Sequence, residues 1–366
     1  MNALLEKISG GIRVAWDRII LTDALTDEDV DLLTTVRPIH PERISVIVDH
    51  DTPSGTVAVA GKQRKLREFA RRNGLAYQYD TGISYHVLLG TEIKAGDIVL
   101  SCGSHVAMVG AVGALGFCLR PEDMKIAMET GYFTVPEAKL SAYFLEGSFP
   151  AFVSAKDLAL TLIRERTLSG QIAVFYAAGF SKGDRTAFLA LLAESGAVSA
   201  FFAEEEPEEA ESICLEGIER LAVLPGDFSH IVPAARIDGL RVSQVFIGGC
   251  AGGSIEALRA AAEVWRGKRI SKYVRAIVAP ATASVYNQAI EEGLVEVFLD
   301  ANALIMNQGC SACWAQSQGR CDGNEIFATT GSINCAGWAG KNHNGIYIVS
   351  PEDAARAALT GNLYEN

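Results

Sequence analysis

Basic residues are scarce in this chain: 32 Lys and Arg stand against 44 Asp and Glu among 366 residues, a formal net charge of −12. Binding a phosphate backbone needs clustered cations, so nucleic acid is not the expected partner. An apolar leader is missing as well. Glu6 and Lys7 fall where a secretory signal needs its hydrophobic segment, and the expectation is a cytoplasmic protein. The stretch 98–119 is free of Asp, Glu, Lys and Arg, but Ser101, Gly103, Ser104 and His105 are wrong for a membrane span. They fit a strand that ends in a turn before a buried glycine-rich helix, so no membrane partner is expected.

What is present is a repeated β-then-α grammar. ISVIVDHD precedes VAVAGKQRKLREFARRNG, QIAVFYAAG precedes RTAFLALLAESG, VSQVFIGG precedes SIEALRAAAEVWRG, and YVRAIVAP precedes ATASVYNQAIEEG. Parallel sheets covered by helices follow, an α/β fold. A chain of this length exceeds one hydrophobic core, so two or three domains are expected. In such sheets functional groups gather just past the carboxyl ends of strands. Asp49-His50-Asp51, Ser104-His105 and Cys250 all lie there. The acidic run from Glu204 to Glu209 reads as a solvated connection.

The eight cysteines are unevenly placed, and a reducing compartment argues against pairing them as disulfides. Cys310 and Cys313 form a CxxC in GCSACW, and Cys250 lies in the glycine-rich turn FIGGCAGGS. CxxC alone is shared by zinc ribbons, redox pairs and iron–sulfur proteins. A structural zinc site wants four ligands, and neither a second CxxC nor an HxxxH occurs to supply them. A redox pair belongs at the start of a helix after an early strand, and this one lies late. FIGGCAGGS lacks the lysine of a phosphate-binding P-loop. Three thiolates suit a 4Fe-4S cluster with one iron open to substrate, since an open coordination position makes a metal a Lewis acid. Gly248, Gly249, Gly252 and Gly253 would let the backbone approach it closely.

With these motifs the chain resembles the aconitase superfamily, and within it the large subunits of 3-isopropylmalate dehydratases. FIGGCAGGS and GCSACW match the two cluster motifs, and VPEAKLSAYFLEGSFPAFVSAKDLALTLI, DRTAFLALLAESGA, PATASVYNQAIEEGLVEVF and IVSPEDAARAALTG continue the likeness in order. The resemblance implies three α/β/α domains, expected at 1–130, 131–240 and 241–366, around a cluster held by Cys250, Cys310 and Cys313. It implies an iron–sulfur hydro-lyase or isomerase acting on a small-molecule substrate. Asp49, His50, Ser104 and His105 stand at its catalytic positions, and His86, Ser254, Ser332 and Asn334 at its substrate-binding positions.

Several family positions are changed. Gly103 replaces an aspartate, the family's HQ reads Tyr85-His86, Phe175 replaces a glutamate, and Ser254, Ile333 and Trp338 stand where the family has arginines. A guanidinium fork matches a carboxylate and such a charge-assisted bond is worth about 1.5–3 kcal/mol. Its loss argues for a substrate smaller, less charged or more apolar than citrate-type acids. A different cluster chemistry on the same fold and a non-enzymatic cluster sensor are the alternatives. His40, His86, His230 and His343 also carry a structural reading, Cys118 and Cys214 read as core on helical patterns, and Cys321 is a possible fourth cluster ligand. In the resembled family a swivelling fourth domain completes the site, as a separate small subunit in isopropylmalate dehydratases. This sequence ends at Asn366 without it, so a small partner subunit is expected.

Overall fold

Every residue of the strands Ile44–Val48, Ile98–Ser101 and Gln244–Ile247 is buried. A strand covered on both faces reads as an unbroken apolar run and belongs inside a parallel sheet. The computed structural model describes residues 12–89, 91–205, 209–237, 239–314, 317–338 and 345–364, and within them it builds three such sheets. Glu6, Lys7, Glu206, Pro207, Glu208 and His343 lie outside the described residues.

The first sheet has the order Ala76–Tyr79, Ile44–Val48, Arg18–Thr22, Ile98–Ser101, Leu115–Cys118, with every neighbour parallel. The second runs Ser199–Phe202, Gln171–Tyr176, Lys139–Glu146, Glu211–Cys214, again all parallel. The third orders Ile231–Pro233, Leu221–Val223, Ile346–Ile348, Phe327–Thr329, Gln244–Ile247, Arg275–Val278, Leu304–Ile305. Its first two strands, which the expected division gives to 131–240, pair antiparallel at the edge.

Helices cover these sheets because their apolar stripes need a partner. Leu66, Phe69 and Ala70 of the helix Val57–Asn73 and Met124, Ala127 and Met128 of Pro121–Thr130 join the core of the first sheet. Thr56 caps the former, accepting from Val59 N at 3.2 Å. The glycine-rich run after Ile98–Ser101 forms a 3-10 helix, Ser104–Val112. A Cβ on Gly110 would lie 2.1 Å from the Ala200 carbonyl oxygen, so this helix rests directly on a strand of the second sheet. Asp157, in the helix Ala155–Arg164, accepts the Leu221 amide at 2.8 Å and ties the second sheet to the third.

Two expectations are corrected. Cys118 and Cys214 are not on buried helices. Each ends a strand and is exposed, Cys214 with its thiol on the Glu216 carboxylate. Their flanking residues suggest helical spacing, but they form the short strands Leu115–Cys118 and Glu211–Cys214.

Candidate active site

Asp49 and His50 leave the buried strand Ile44–Val48 beside Asp23, the residue after the neighbouring strand Arg18–Thr22. Asp23 Oδ1 accepts the amides of Asp49 at 3.1 Å and His50 at 3.0 Å, while Oδ2 accepts the amide of Asp51 at 3.2 Å and Gln63 Nε2 at 3.0 Å. The turn is thus folded around one buried carboxylate. His50 Nδ1 lies 2.5 Å from Asp49 Oδ1 and 3.4 Å from Asp23 Oδ1. The other Asp49 oxygen accepts the Ser84 amide at 2.7 Å. Burial by itself would lower the His50 pKa, but the Asp49 and Asp23 carboxylates outweigh it and raise it to about 10. Burial works to raise Asp23, and the bonds from His50 and the turn amides outweigh that and hold it well down. His50 is therefore an imidazolium at neutral pH, with Nδ1 engaged.

The thiols assemble on the other side. Cys250 sits in the one-turn helix Gly249–Gly252 beyond Gln244–Ile247, and Cys310 and Cys313 flank Ser311 and Ala312 in a 3-10 turn. Cys250 and Cys310 share a hydrogen bond that pulls the Cys250 pKa down and pushes Cys310 up. The two halves meet where Cys310 N donates to Asp49 O at 3.0 Å, and ligand atoms of Asp49, His50 and Cys310 lie within 4.8 Å of one another. His105 Nδ1 stands 3.6 Å from Cys250 Sγ and its Nε2 2.9 Å from Ser332 Oγ.

These residues fit a thiolate-held cluster. Cys250 and Cys310 are buried, and all eight cysteines are free. A Cβ would lie 2.9 Å from Cys313 Sγ if placed on Gly331 and 3.1 Å if placed on Gly249, whose φ of +76° favours glycine in any case. The Ser332 amide donates to the Cys313 sulfur, the kind of bond that tunes thiolate ligands. Cys321 shares a buried apolar cluster with Ala312, against which Cys313 packs, and its thiol is 4.0 Å from Arg275 Nη2 at the amino end of the paired strands Gln244–Ile247 and Arg275–Val278.

The remaining sequence candidates separate. Ser332 joins the site through His105, whereas Asn334 Nδ2 is taken by the Leu224 carbonyl at 2.6 Å. Ser104 is exposed at the start of its 3-10 helix. His86 Nε2 meets the Cys250 carbonyl at 2.9 Å, behind the thiol, and with Ser254 lines a cavity of about 410 Å³ shared with Lys182 and Glu256. His40 packs edge-on against Trp16, and His230 lies beside Asp227 and Ser229 at the surface. Phe175 is fully buried, stacked on Tyr143 and edge-on to Phe188. Trp338 donates its indole N–H to the Cys313 carbonyl at 2.5 Å and meets Trp314 edge-on at 5.2 Å, and Trp314 meets His50 at 4.8 Å. Sequence reasoning misses Asp23, which carries no motif, and gives no role to Glu194 in LLAESGA. Burial raises the Glu194 pKa and the nearby His105 charge partly offsets that.

The model of the aconitase family (aconitate hydratase) matches residues 27–209 and 226–361. The chain belongs to the aconitase family. It is 30% identical to the 3-isopropylmalate dehydratase large subunit 1 of Deinococcus radiodurans over 96% of this chain and 88% of that one. To the homoaconitase large subunit of Thermus thermophilus it is 29% identical, over 96% and 91%. The crystal structure of Thermococcus kodakaraensis aconitase X (holo-form) superposes with a TM-score of 0.55 at 14% identity, covering 91% of this chain and 87% of that one, a likeness of fold. As an aconitase-family protein the chain is an iron–sulfur hydro-lyase that uses a 4Fe-4S cluster. No helix among the described residues is long and apolar enough to cross a membrane.

Proposed function

We propose that Cys250, Cys310 and Cys313 hold the cluster and that the enzyme dehydrates a small hydroxy acid carrying an apolar flank in place of a second anchored carboxylate. The observation behind this reading is the aromatic wall of Trp338, Trp314 and His50 beside the thiols, with Ile333 and Trp338 in place of family arginines. When bound, the cluster would supply Lewis-acid polarisation of the departing hydroxyl. His50, held protonated by Asp49 and Asp23, donates its Nε2 proton to that hydroxyl so that it leaves as water. Asp49 orients the ring and keeps it charged. His105 spans Cys250 and Ser332, favours the thiolate at Cys250, and fixes the wall of the site.

The base that takes the proton from the neighbouring carbon comes, in this proposal, from a small partner subunit that also closes the site to water. Relatives named as large subunits support it. Eight free thiols support a cytoplasmic, reducing location. The test is turnover by the reconstituted protein, with and without a co-purified small subunit, on apolar monocarboxylic hydroxy acids beside isocitrate and isopropylmalate. Preference for the apolar monoacids is expected. Turnover of isocitrate at an ordinary enzymatic rate, on the order of 1–10³ per second, overturns the substrate reading.

A further inference from the structure

Lys156 is a lysine in the interior. It is 5% exposed, on the helix Ala155–Arg164 beside the second sheet, yet its ammonium crosses to the third sheet and donates to the carbonyls of Thr330 at 2.8 Å and Val349 at 3.2 Å. Thr330 and Val349 each follow close on a strand, Phe327–Thr329 and Ile346–Ile348, which are paired neighbours. Lys156 therefore bridges the two chains where their ladder ends. Burying a charge is costly, and a clasp for two carbonyls could be made by a neutral donor. The position of the ion suggests what the charge adds.

The Thr330 that it holds is the hub of the thiol cradle. Thr330 Oγ1 accepts the Gly248 amide at 2.9 Å, a Cβ on Gly252 would lie 2.0 Å from the same atom, and two residues on the Ser332 amide donates to Cys313 Sγ. The titratable groups whose charge acts on the ammonium are Asp157 on its own helix, Glu352 on the helix Pro351–Thr360, and the Cys313 thiol. Burial lowers the Lys156 pKa to about 8, against the pull of Asp157, Glu352 and Cys313.

We propose that Lys156 is a positioning residue for the cluster, setting the Thr330–Ser332 turn against Cys313 and placing behind that ligand a positive charge that raises the cluster's reduction potential. A buried cation favours the state with the added electron, because charges separated by protein are weakly screened. This inference rests on Cys313 being a cluster ligand.

The experiment is a spectroelectrochemical titration of the anaerobically reconstituted full chain as wild type, Lys156→Gln, Lys156→Met and Lys156→Arg. Gln keeps a donor without the charge, and Arg keeps the charge. Lys156→Gln and Lys156→Met should each be about tenfold harder to reduce at a fixed potential, which is about 59 mV for a one-electron couple. Lys156→Arg should stay near wild type, and Lys156→Met should also lose its visible absorption faster under a chelator. If Lys156→Met does not fold, Lys156→Gln and Lys156→Arg decide. An intact cluster at the wild-type potential in Lys156→Gln, or an equal drop in Lys156→Arg, overturns the role of the charge. A wild-type chain that binds no cluster, or a Cys313→Ser variant whose cluster is unaltered, refutes the ligation reading instead.

Discussion

The hydroxyl of Tyr85 occupies the space that a side chain at position 103 would enter. A Cβ placed on Gly103 meets Tyr85 Oη at 2.9 Å, and that oxygen is pinned 3.0 Å from Ser101 Oγ. By the resemblance to the aconitase superfamily, Tyr85 stands where its motif has a histidine and Gly103 where it has an aspartate. Burial pushes the Tyr85 pKa well up, so the phenol stays neutral.

This coupling predicts non-additivity. Gly103→Asp alone should destabilise the fold by about 1–3 kcal/mol through overpacking against the pinned phenol. Tyr85→His in the same chain should return part of that, a coupling on the order of 1 kcal/mol. Urea denaturation of the two single variants and the double variant measures it. Strictly additive losses would mean that the two positions do not share the space.

The cluster reading predicts unequal cysteines. Serine at 250, 310 or 313 should abolish the visible absorption and bound iron of the anaerobically reconstituted protein, while Cys321→Ser should leave both intact. Cys321 lies near the Arg275–Gln244 end of its strands, and Gln244 to Ile247 spans about 10 Å at about 3.3 Å per residue. A changed spectrum in Cys321→Ser would place a fourth thiol at the cluster.

His50 gives a pH prediction. Its folded pKa of about 10 lies above the unfolded value of 6.5, so its protonated form stabilises the fold fully below pH 6.5, and that stabilisation is lost as pH rises through 10. The stability of wild type minus that of His50→Gln, in the cluster-free protein, should therefore shrink between pH 6.5 and 10. The loss is on the order of 5 kcal/mol at most, since each tenfold gain in proton affinity on folding is worth about 1.4 kcal/mol. A difference that does not move with pH would show that the ring is neutral in the folded state.

Much of this site can be read along the chain, because parallel strands announce themselves as apolar runs and their carboxyl ends collect function. Asp49, His50, Cys250 and Ser332 all follow such strands. His86 is displaced by one step from the family's histidine: on the helix Ser84–Leu88 each residue turns about 100°, so Tyr85 faces Gly103 while His86 faces the back of Cys250. Asp23 and Lys156 are illegible for another reason. Each acts on backbone away from its own segment, Asp23 accepting the amides of Asp49, His50 and Asp51 and Lys156 donating across 174 residues to the Thr330 carbonyl, and backbone partners leave no mark in sequence. Cys118 and Cys214 show the limit of short apolar runs, where strand and helix patterns look alike.

The substrate reading stands or falls at Trp338. Its indole is one half of the Trp314–Trp338 contact and bonds the Cys313 carbonyl, and an arginine there could keep that bond through a guanidinium N–H while turning the rest of the fork toward substrate. A regained charge-assisted bond to a carboxylate is worth about 1.5–3 kcal/mol, or about 10–150-fold. The loss of indole area at the wall works against apolar substrates, since burial contributes about 25 cal/mol per Å². Trp338→Arg should therefore raise the ratio of kcat/KM for a multiply charged hydroxy acid over an apolar one by at least about tenfold. Thermal melting run beside the kinetics separates the alternatives. A lowered Tm with an unchanged ratio would make the tryptophan pair a support for the Cys313 turn and leave the choice of substrate to residues elsewhere.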